Sequence, residues 1–205
     1  MRALGKPRSV LRTCVVAMLL LASAARARAE EPAASLGSRL YAGFELSSVK
    51  VDDSYGGVNL NASTYAYGAY TGLWLKSDLL AIELSYDRTD PNDLHDVAGS
   101  GVLRFDAASQ RRTLSVSVLR QVVLRDFLSL KRDWRVFGAL GLYETDVHRT
   151  ITDLASGAQT SAGENVTGAL LSVGTLYTVG RVELRGYLRG WGDAREIGAA
   201  AQFRF

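Results

Sequence analysis

The sequence predicts an all-β protein: one eight-stranded antiparallel up-and-down β-barrel that crosses a membrane by its strands. Three observations carry this. Apolar and polar residues alternate with a period of two in successive segments. The connections between those segments differ systematically in length. The final segment, I-G-A-A-A-Q-F-R-F, is a strand with one oily side and an aromatic end. Successive strand side chains point to opposite faces, so a period of two marks a half-buried strand, whereas a helix would space its apolar residues three and four apart.

Residues 1–29 form a predicted cleaved export signal. Arg2, Lys6, Arg8 and Arg12 make a basic start, and V-V-A-M-L-L-L-A over 15–22 is the apolar segment. Ala27-Arg28-Ala29 fits a small-x-small cleavage site. The apolar run is well short of the ~20 residues that a spanning helix needs. Cys14, the sole cysteine, lies inside this leader, so the expected mature chain cannot use disulfides. The leader holds six Lys/Arg and no acid, which leaves 18 basic against 21 acidic residues in 30–205. The basic balance of the whole chain therefore says nothing about nucleic acid, and no basic patch interleaved with aromatics points to it.

The predicted barrel domain, residues 30–205, reads strand by strand. Leu40, Ala42, Phe44 and Leu46 alternate with Tyr41, Gly43, Glu45 and Ser47 in the first. The second, 63–75, is rich in Tyr and Gly and its facing stays open. In the third, Leu80, Ile82, Leu84 and Tyr86 alternate with Ala81, Glu83, Ser85 and Asp87. Leu114, Val116 and Val118 set one face of the fourth. The fifth (134–147) and sixth (165–177) are extended but weakly patterned, and their facing also stays open. Val182, Leu184, Gly186 and Leu188 alternate with Glu183, Arg185, Tyr187 and Arg189 in the seventh. Ile197, Ala199, Ala201, Phe203 and Phe205 oppose Gly198, Ala200, Gln202 and Arg204 in the eighth.

The links at 76–78 and 179–180 are short, and 125–133 is intermediate. Those at 50–62, 89–111 and 148–164 are long, and 190–195 is a short exception. Such asymmetry is expected of a barrel with one rim facing the periplasm and the other facing outward. An even strand count puts both chain ends on the periplasmic side. Pro32 and Pro91 fall outside the strands, as a ladder of backbone donors requires. Residues 101–105 read as part of a hairpin in the second long loop, since a ninth spanning strand would break the even count. Tyr86, Trp134 and Phe205 lie near strand ends, where amphipathic rings favour the lipid headgroup zone.

Signal, alternation, loop asymmetry and terminal Phe together make the mature chain resemble the small eight-stranded outer-membrane barrels of the OmpA/OmpX type. The resemblance covers the whole mature chain and rests on no unique internal motif. It implies export through the periplasm to the outer membrane, with outer-membrane lipids and lipopolysaccharide as surroundings. It also implies insertion by the barrel-assembly machinery, with Phe203 and Phe205 in the terminal strand as the signal read for insertion. The peptidoglycan-binding part carried by some of these proteins is not expected here.

A barrel of eight strands is filled by its own side chains. Glu45, Glu83, Glu183, Arg185, Arg189 and Arg204 are therefore expected to meet and pair inside, because an unpaired buried charge costs several kcal/mol. The expected role is structural or interactive, with loops 1 to 3 offered to a surface partner. A narrow ion or small-solute pore is the alternative. A lipid A-modifying enzyme stands third: His148-Arg149-Thr150, near Glu144 and Asp146, has the spacing of a His–x–Ser hydrolase with Thr in the Ser position. His95, beside Asp93 and Asp96, reads as a solvated loop residue. No enzyme activity, cofactor or metal site is expected, since two distant histidines make no zinc constellation. Asp52-Asp53 could touch a divalent cation, but solvated loop charge is the simpler reading. Gly72-Leu73-Trp74 matches the G-x-W of lipocalins, yet it sits in the second strand rather than the first. The sequons Asn61-Ala62-Ser63 and Asn165-Val166-Thr167 mean little in a bacterial-type exporter.

Overall fold

A computed structural model describes residues 39–55, 58–75, 79–98, 104–123 and 134–205. The predicted leader and the links at 76–78 and 125–133 lie outside them. Among the described residues the chain forms β1 (Leu40–Val51), β2 (Ser54–Tyr55), β3 (Val58–Asn59), β4 (Ala62–Trp74), β5 (Leu80–Thr89) and β6 (Asn92–Ala98). These are followed by β7 (Arg104–Val123), β8 (Trp134–Asp153), β9 (Gln159–Val179), β10 (Val182–Trp191) and β11 (Ala194–Arg204). Eight of them, β1, β4, β5, β7, β8, β9, β10 and β11, pair antiparallel in a ring that closes between β5 and β7. No helix among the described residues is long and apolar enough to cross a membrane. A sheet in lipid leaves no backbone group unpaired only when it closes on itself, so the ring supplies what the sequence lacks in apolar helices.

The predicted alternation holds. Outward residues of β1, Phe44 and Leu46, are 72% and 70% exposed, whereas inward Glu45 is 3%. On β11, Ile197 and Phe203 face outward and Gln202 is fully buried. The strands whose facing the sequence left open resolve in the same way. Tyr41 and Tyr70 point in, Tyr65 and Tyr67 out. On β8, Phe137, Ala139 and Tyr143 point in, and Leu140 and Leu142 out. On β9, Leu170, Ser172 and Leu176 point in, and Leu171 and Val173 out.

Register fixes the barrel's shape. Directly paired residues lead from Lys50 through Arg195, Gly190, Leu171, Leu140, Val118, Ile82 and Leu73 back to β1 at Leu40, ten residues from the start. A stagger of that size over eight strands tilts them by roughly 40°. Apolar outward residues then span a band roughly 20 Å tall. Tyr65, Tyr67 and Tyr86 lie at its outer edge, and Trp134, Tyr177, Phe203 and Phe205 at its inner edge. Trp134 and Tyr177 pair directly across β8 and β9 with ring centroids 4.8 Å apart.

Inside, aromatic rings lie over glycines directly opposite on the neighbouring strand: Tyr41 over Gly72, Tyr70 over Gly43, Phe137 over Gly174, Tyr143 over Gly168 and Tyr187 over Gly198. A Cβ on Gly198 would stand 2.5 Å from the Tyr187 ring, so the ring occupies the space that the glycine leaves.

The long third loop expected at 148–164 is a correction. β8 runs on to Asp153 and β9 starts at Gln159, leaving a turn of five residues. Polar residues dominate both faces there because water, not lipid, lies outside, so the alternation that marks a spanning strand fades while the ladder continues. The second loop is likewise mostly strand. After the break at Asp90-Pro91, β6 continues along β7: β5 pairs with it as far as Arg112, and β6 from Ser109 to Arg104. β6 adds nothing to the ring, as the hairpin reading of that loop expects.

Two measurements test the fold. The folded chain should migrate faster on a gel unboiled than boiled. Leu140→Arg, outward near mid-band, should cost ~2–4 kcal/mol in bilayer unfolding, and Lys50→Arg at the rim close to nothing. Equal costs would move the membrane band.

Candidate functional site

The tilt stacks the inward polar residues in tiers. At the inner end, Glu183 forms an ion pair with Arg204 at 3.0 Å, accepts from Arg135 at 3.3 Å and is bonded by the Gln202 amide. Arg204 also lies 5.1 Å above the Trp74 ring. Next, Arg185 grips Glu83 at 2.8 and 3.1 Å and donates to Gln202 Oε1 at 2.8 Å. Tyr41 donates to the same Glu83, and Tyr70 to Gln202. The Arg185 guanidinium is also sandwiched between the rings of Tyr70 and Phe137, 4.6 and 5.0 Å from their centroids.

The third tier gathers three carboxylates round one cation. Arg189 reaches Glu45 at 2.9 and 3.2 Å, Asp87 at 3.2 Å and Glu196 at 3.5 Å. Tyr187 donates to Glu196 at 2.8 Å, and its ring lies 4.7 Å beneath the Arg189 guanidinium. The opposite wall carries hydroxyls: Ser85 and Ser115 are 2.7 Å apart, and Thr113 and Thr145 2.9 Å. A small cavity of about 10 Å³ lies between the second and third tiers, lined in part by Ser85, Ser115, Ser117 and Ser172.

The structure thus brings Glu45 to Arg189, Glu83 to Arg185, and Glu183 to Arg204. All six side chains expected in the interior point there, Arg204 least deeply. Phe203 and Phe205 face outward at the inner edge. Sequence reasoning did not single out Asp87, Glu196, Arg135 or the lumen tyrosines. Asp87 shares the polar face of its strand with Glu83, so its signal was present. Glu196 lies one residue before the predicted start of the eighth strand, yet it pairs directly with Arg189. Arg135 belongs to a strand whose facing the pattern left open.

A fourth cluster, also missed, lies at the outer mouth. Asp53 accepts from Arg149 at 2.7 and 3.1 Å and from Arg111 at 3.2 Å. Arg111 also makes a two-pronged pair with Asp193 at 2.8 and 2.9 Å, and Arg149 reaches Glu164 at 2.9 Å. Beside it, Leu60, Ala107 and Ile151 form a small apolar core with Tyr55, Leu94 and Phe105. Asp53 is therefore engaged by two guanidinium groups rather than standing as solvated loop charge. No group of three or more His, Cys, Asp or Glu among the described residues could hold a metal ion. His148 is exposed on the outward face of β8, together with Asp146 and Thr150.

Partial burial would raise the Asp193 carboxyl, but the Arg111 hydrogen bonds outweigh it and hold the group below the usual carboxylate range. Asp153, in the β8–β9 turn, is also held low, by the Ser156 hydroxyl and the Ala155 N–H.

Against known proteins, no family model matches the chain. No curated protein matches it either. Solved structures do. A major outer membrane protein from Thermus thermophilus is 17% identical with a TM-score of 0.51, covering 80% of this chain and 99% of that one. Neisserial surface protein A is 14% identical at 0.49, over 81% and 97%. The attachment invasion locus protein Ail of Yersinia pestis, solved with the heparin analogue sucrose octasulfate, is 13% identical at 0.47, over 80% and 97%. The fold is that of the small eight-stranded outer-membrane barrels.

Two predictions follow from the charges. Arg189→Met strands three carboxylates around an apolar side chain and should cost ~3–5 kcal/mol in urea unfolding, more than Glu45→Gln, which leaves Arg189 two partners. A smaller loss for Arg189→Met would mean that water already screens the tier. At the mouth, a depressed carboxyl lends stability above its unfolded value near ~3.9 and loses it as pH falls through the folded value. The protection factors of the amides at 52–55 and 58–61, each the intrinsic exchange rate at that pH over the observed one, should therefore be flat from neutrality to about pH 5 and fall below about pH 4, and Asp193→Asn should abolish that fall.

Proposed function

We propose that this protein is a structural and surface-interaction barrel of the outer membrane, with a lumen stopped by its tiers of charge and a docking surface above the outer rim. One observation carries the reading. β9 pairs with β8 from Gln159 to Tyr177, but with β10 only from Leu170 inward. Its outer half, residues 159–169, thus offers a free strand edge that stands clear of the lipid band. An unpaired edge is a template for another extended segment, which supplies main-chain hydrogen bonds and alternate side-chain contacts. Natural edges are usually blunted by lysine, proline or a bulge. T-S-A-G-E-N-V-T over 160–167 contains no Lys or Pro, and its one charge, Glu164, is drawn towards Arg149.

The hydroxyl-lined wall of Ser85, Ser115, Ser117 and Ser172 favours a second reading, a narrow path for water or small ions beside the arginines. The two separate cleanly. For the favoured reading, planar-bilayer recordings should show no discrete conductance. Cells displaying the barrel should also lose adhesion when Asn165→Lys and Thr167→Lys place charge along the β9 edge. Unchanged adhesion would remove the docking edge, and stepwise conductance that Ser115→Leu abolishes would establish the pore.

A further inference from the structure

The sheet of β6 to β9 that rises above the lipid band has two edges, and they are built differently. β6 forms one. Pro91 precedes it, a bulge lies between Leu94 and Val97, and β3 and β4 lie against it. Each of these blunts an edge against further pairing. β9 forms the other, and among the described residues no strand pairs with its free side above Leu170. Backbone parity fixes what this bare edge offers. The Asp153 N–H donates to the Ala158 carbonyl at 2.9 Å, so the even-numbered residues of β9 turn their N–H and C=O groups to β8. Strand residues alternate in this respect, so Gln159, Ser161, Gly163, Asn165 and Thr167 turn theirs to the free side.

The edge is complementary to itself. Turned end for end about Gly163, it sets Gly163 opposite the second copy's Gly163, Ser161 opposite Asn165 and Gln159 opposite Thr167, all at hydrogen-bonded positions. Between them Ala162 meets Glu164 and Thr160 meets Val166, so no like charges face each other. Centring on Glu164 would oppose two carboxylates, and centring on Asn165 would shorten the run, since β10 takes over at Leu170. Direction decides where the second copy stands. In one membrane every β9 descends towards the inner face, so a two-fold pair of neighbours would bring these edges together parallel, with N–H facing N–H. A copy on a facing membrane runs the other way, and its edge meets this one antiparallel with each N–H opposite a carbonyl. We propose that the β9 edge binds the β9 edge of a second copy on an opposing outer membrane, joining the two outer sheets into one and the two cells to each other. The proposal rests on the docking edge above and names its partner. Because β6 is blunted, the joined sheet closes as a two-fold pair and does not grow into a fibre. Both edges are held extended before they meet, which spares the ordering cost that a disordered partner pays. A pair centred on Gly163 holds the two outer rims roughly 40 Å apart, so long surface polysaccharide would prevent it.

The test mixes cells that display the barrel, lack long surface polysaccharide and carry one of two fluorescent labels. Wild-type cells should form two-colour clusters. Gly163→Lys sets like charges opposite each other across the two-fold axis, as does Gly163→Glu, and a Cβ there meets no atom within 4 Å. Each variant alone should stay dispersed, and the two mixed together should cluster again. Ala155→Lys, in the exposed β8–β9 turn, should cluster as the wild type does. Wild-type cells that stay apart, Gly163→Lys cells that still cluster, or a mixture of the two variants that does not would each overturn the proposal. So would dispersal by Ala155→Lys, which would assign the effect to surface charge. Cells that never cluster yet bind a foreign surface, and lose that binding with Asn165→Lys and Thr167→Lys, would overturn the self-pairing while leaving the docking edge in place. Unboiled gel mobility reports the folding of each variant. Should neither charged variant fold, Ser161→Pro removes an N–H that the β8 ladder does not use. It disperses the cells if the edge pairs with itself and leaves them clustered if it does not.

Discussion

Closure of the hydrogen-bond ladder is the constraint from which the rest of this structure follows. Water is absent at the band, so each strand must find two partners, and β5–β7 and β1–β11 pairing removes the last free edges within lipid. Closure with a ten-residue stagger sets the tilt, and the tilt sets the bore. Eight strands give an interior about wide enough for side chains to fill, so groups that point inward find their partners largely among other side chains. Once Glu45, Glu83 and Glu183 occupy inward positions, arginines become obligatory within reach of them. A guanidinium suits this because it offers several donors in one plane and stacks on rings, as Arg185 does between Tyr70 and Phe137.

The same narrowness explains the glycines. A barrel of small circumference crowds large side chains, and a ring such as Tyr187 fits only where the opposite strand gives up its side chain. The tyrosine then reaches across with its hydroxyl to close a carboxylate's remaining lone pair, as Tyr187 does for Glu196 and Tyr41 for Glu83. Aromatic, glycine and ion pair are thus one packing solution, with the ring filling volume and its hydroxyl joining the polar tier.

Much of this was legible in the residues. Strands with lipid on one side and charge on the other, such as β1, β5 and β10, show the period of two plainly, and the lumen residues Glu45, Glu83, Arg185 and Arg189 could be read directly from it. The pattern faded for physical reasons. β8 and β9 have small or aromatic residues inside, Ala139, Tyr143 and Ser172, so inside and outside differ little in polarity. Above the band both faces are polar, so the continuation of β8 through His148 to Asp153 reads as loop. Asp53, Arg111 and Arg149 are far apart in sequence, and only register brings them together.

The outer extension poses its own problem, since the sheet of β6, β7, β8 and β9 leaves lipid behind and has no closed ring to hold it. A four-stranded sheet standing in water needs an apolar face or a pin, and both are present. Leu60, Ala107 and Ile151 supply a miniature core, with Tyr55 and Leu94 against it. Asp53 ties the first loop to β7 and β8 through two arginines, and Arg111 carries the tie on to the β10–β11 turn at Asp193. The pin acts on the inner side of the sheet and leaves the free side of β9 bare. Rigidity on one side and an unpaired edge on the other is the arrangement that lowers the ordering cost of receiving a strand.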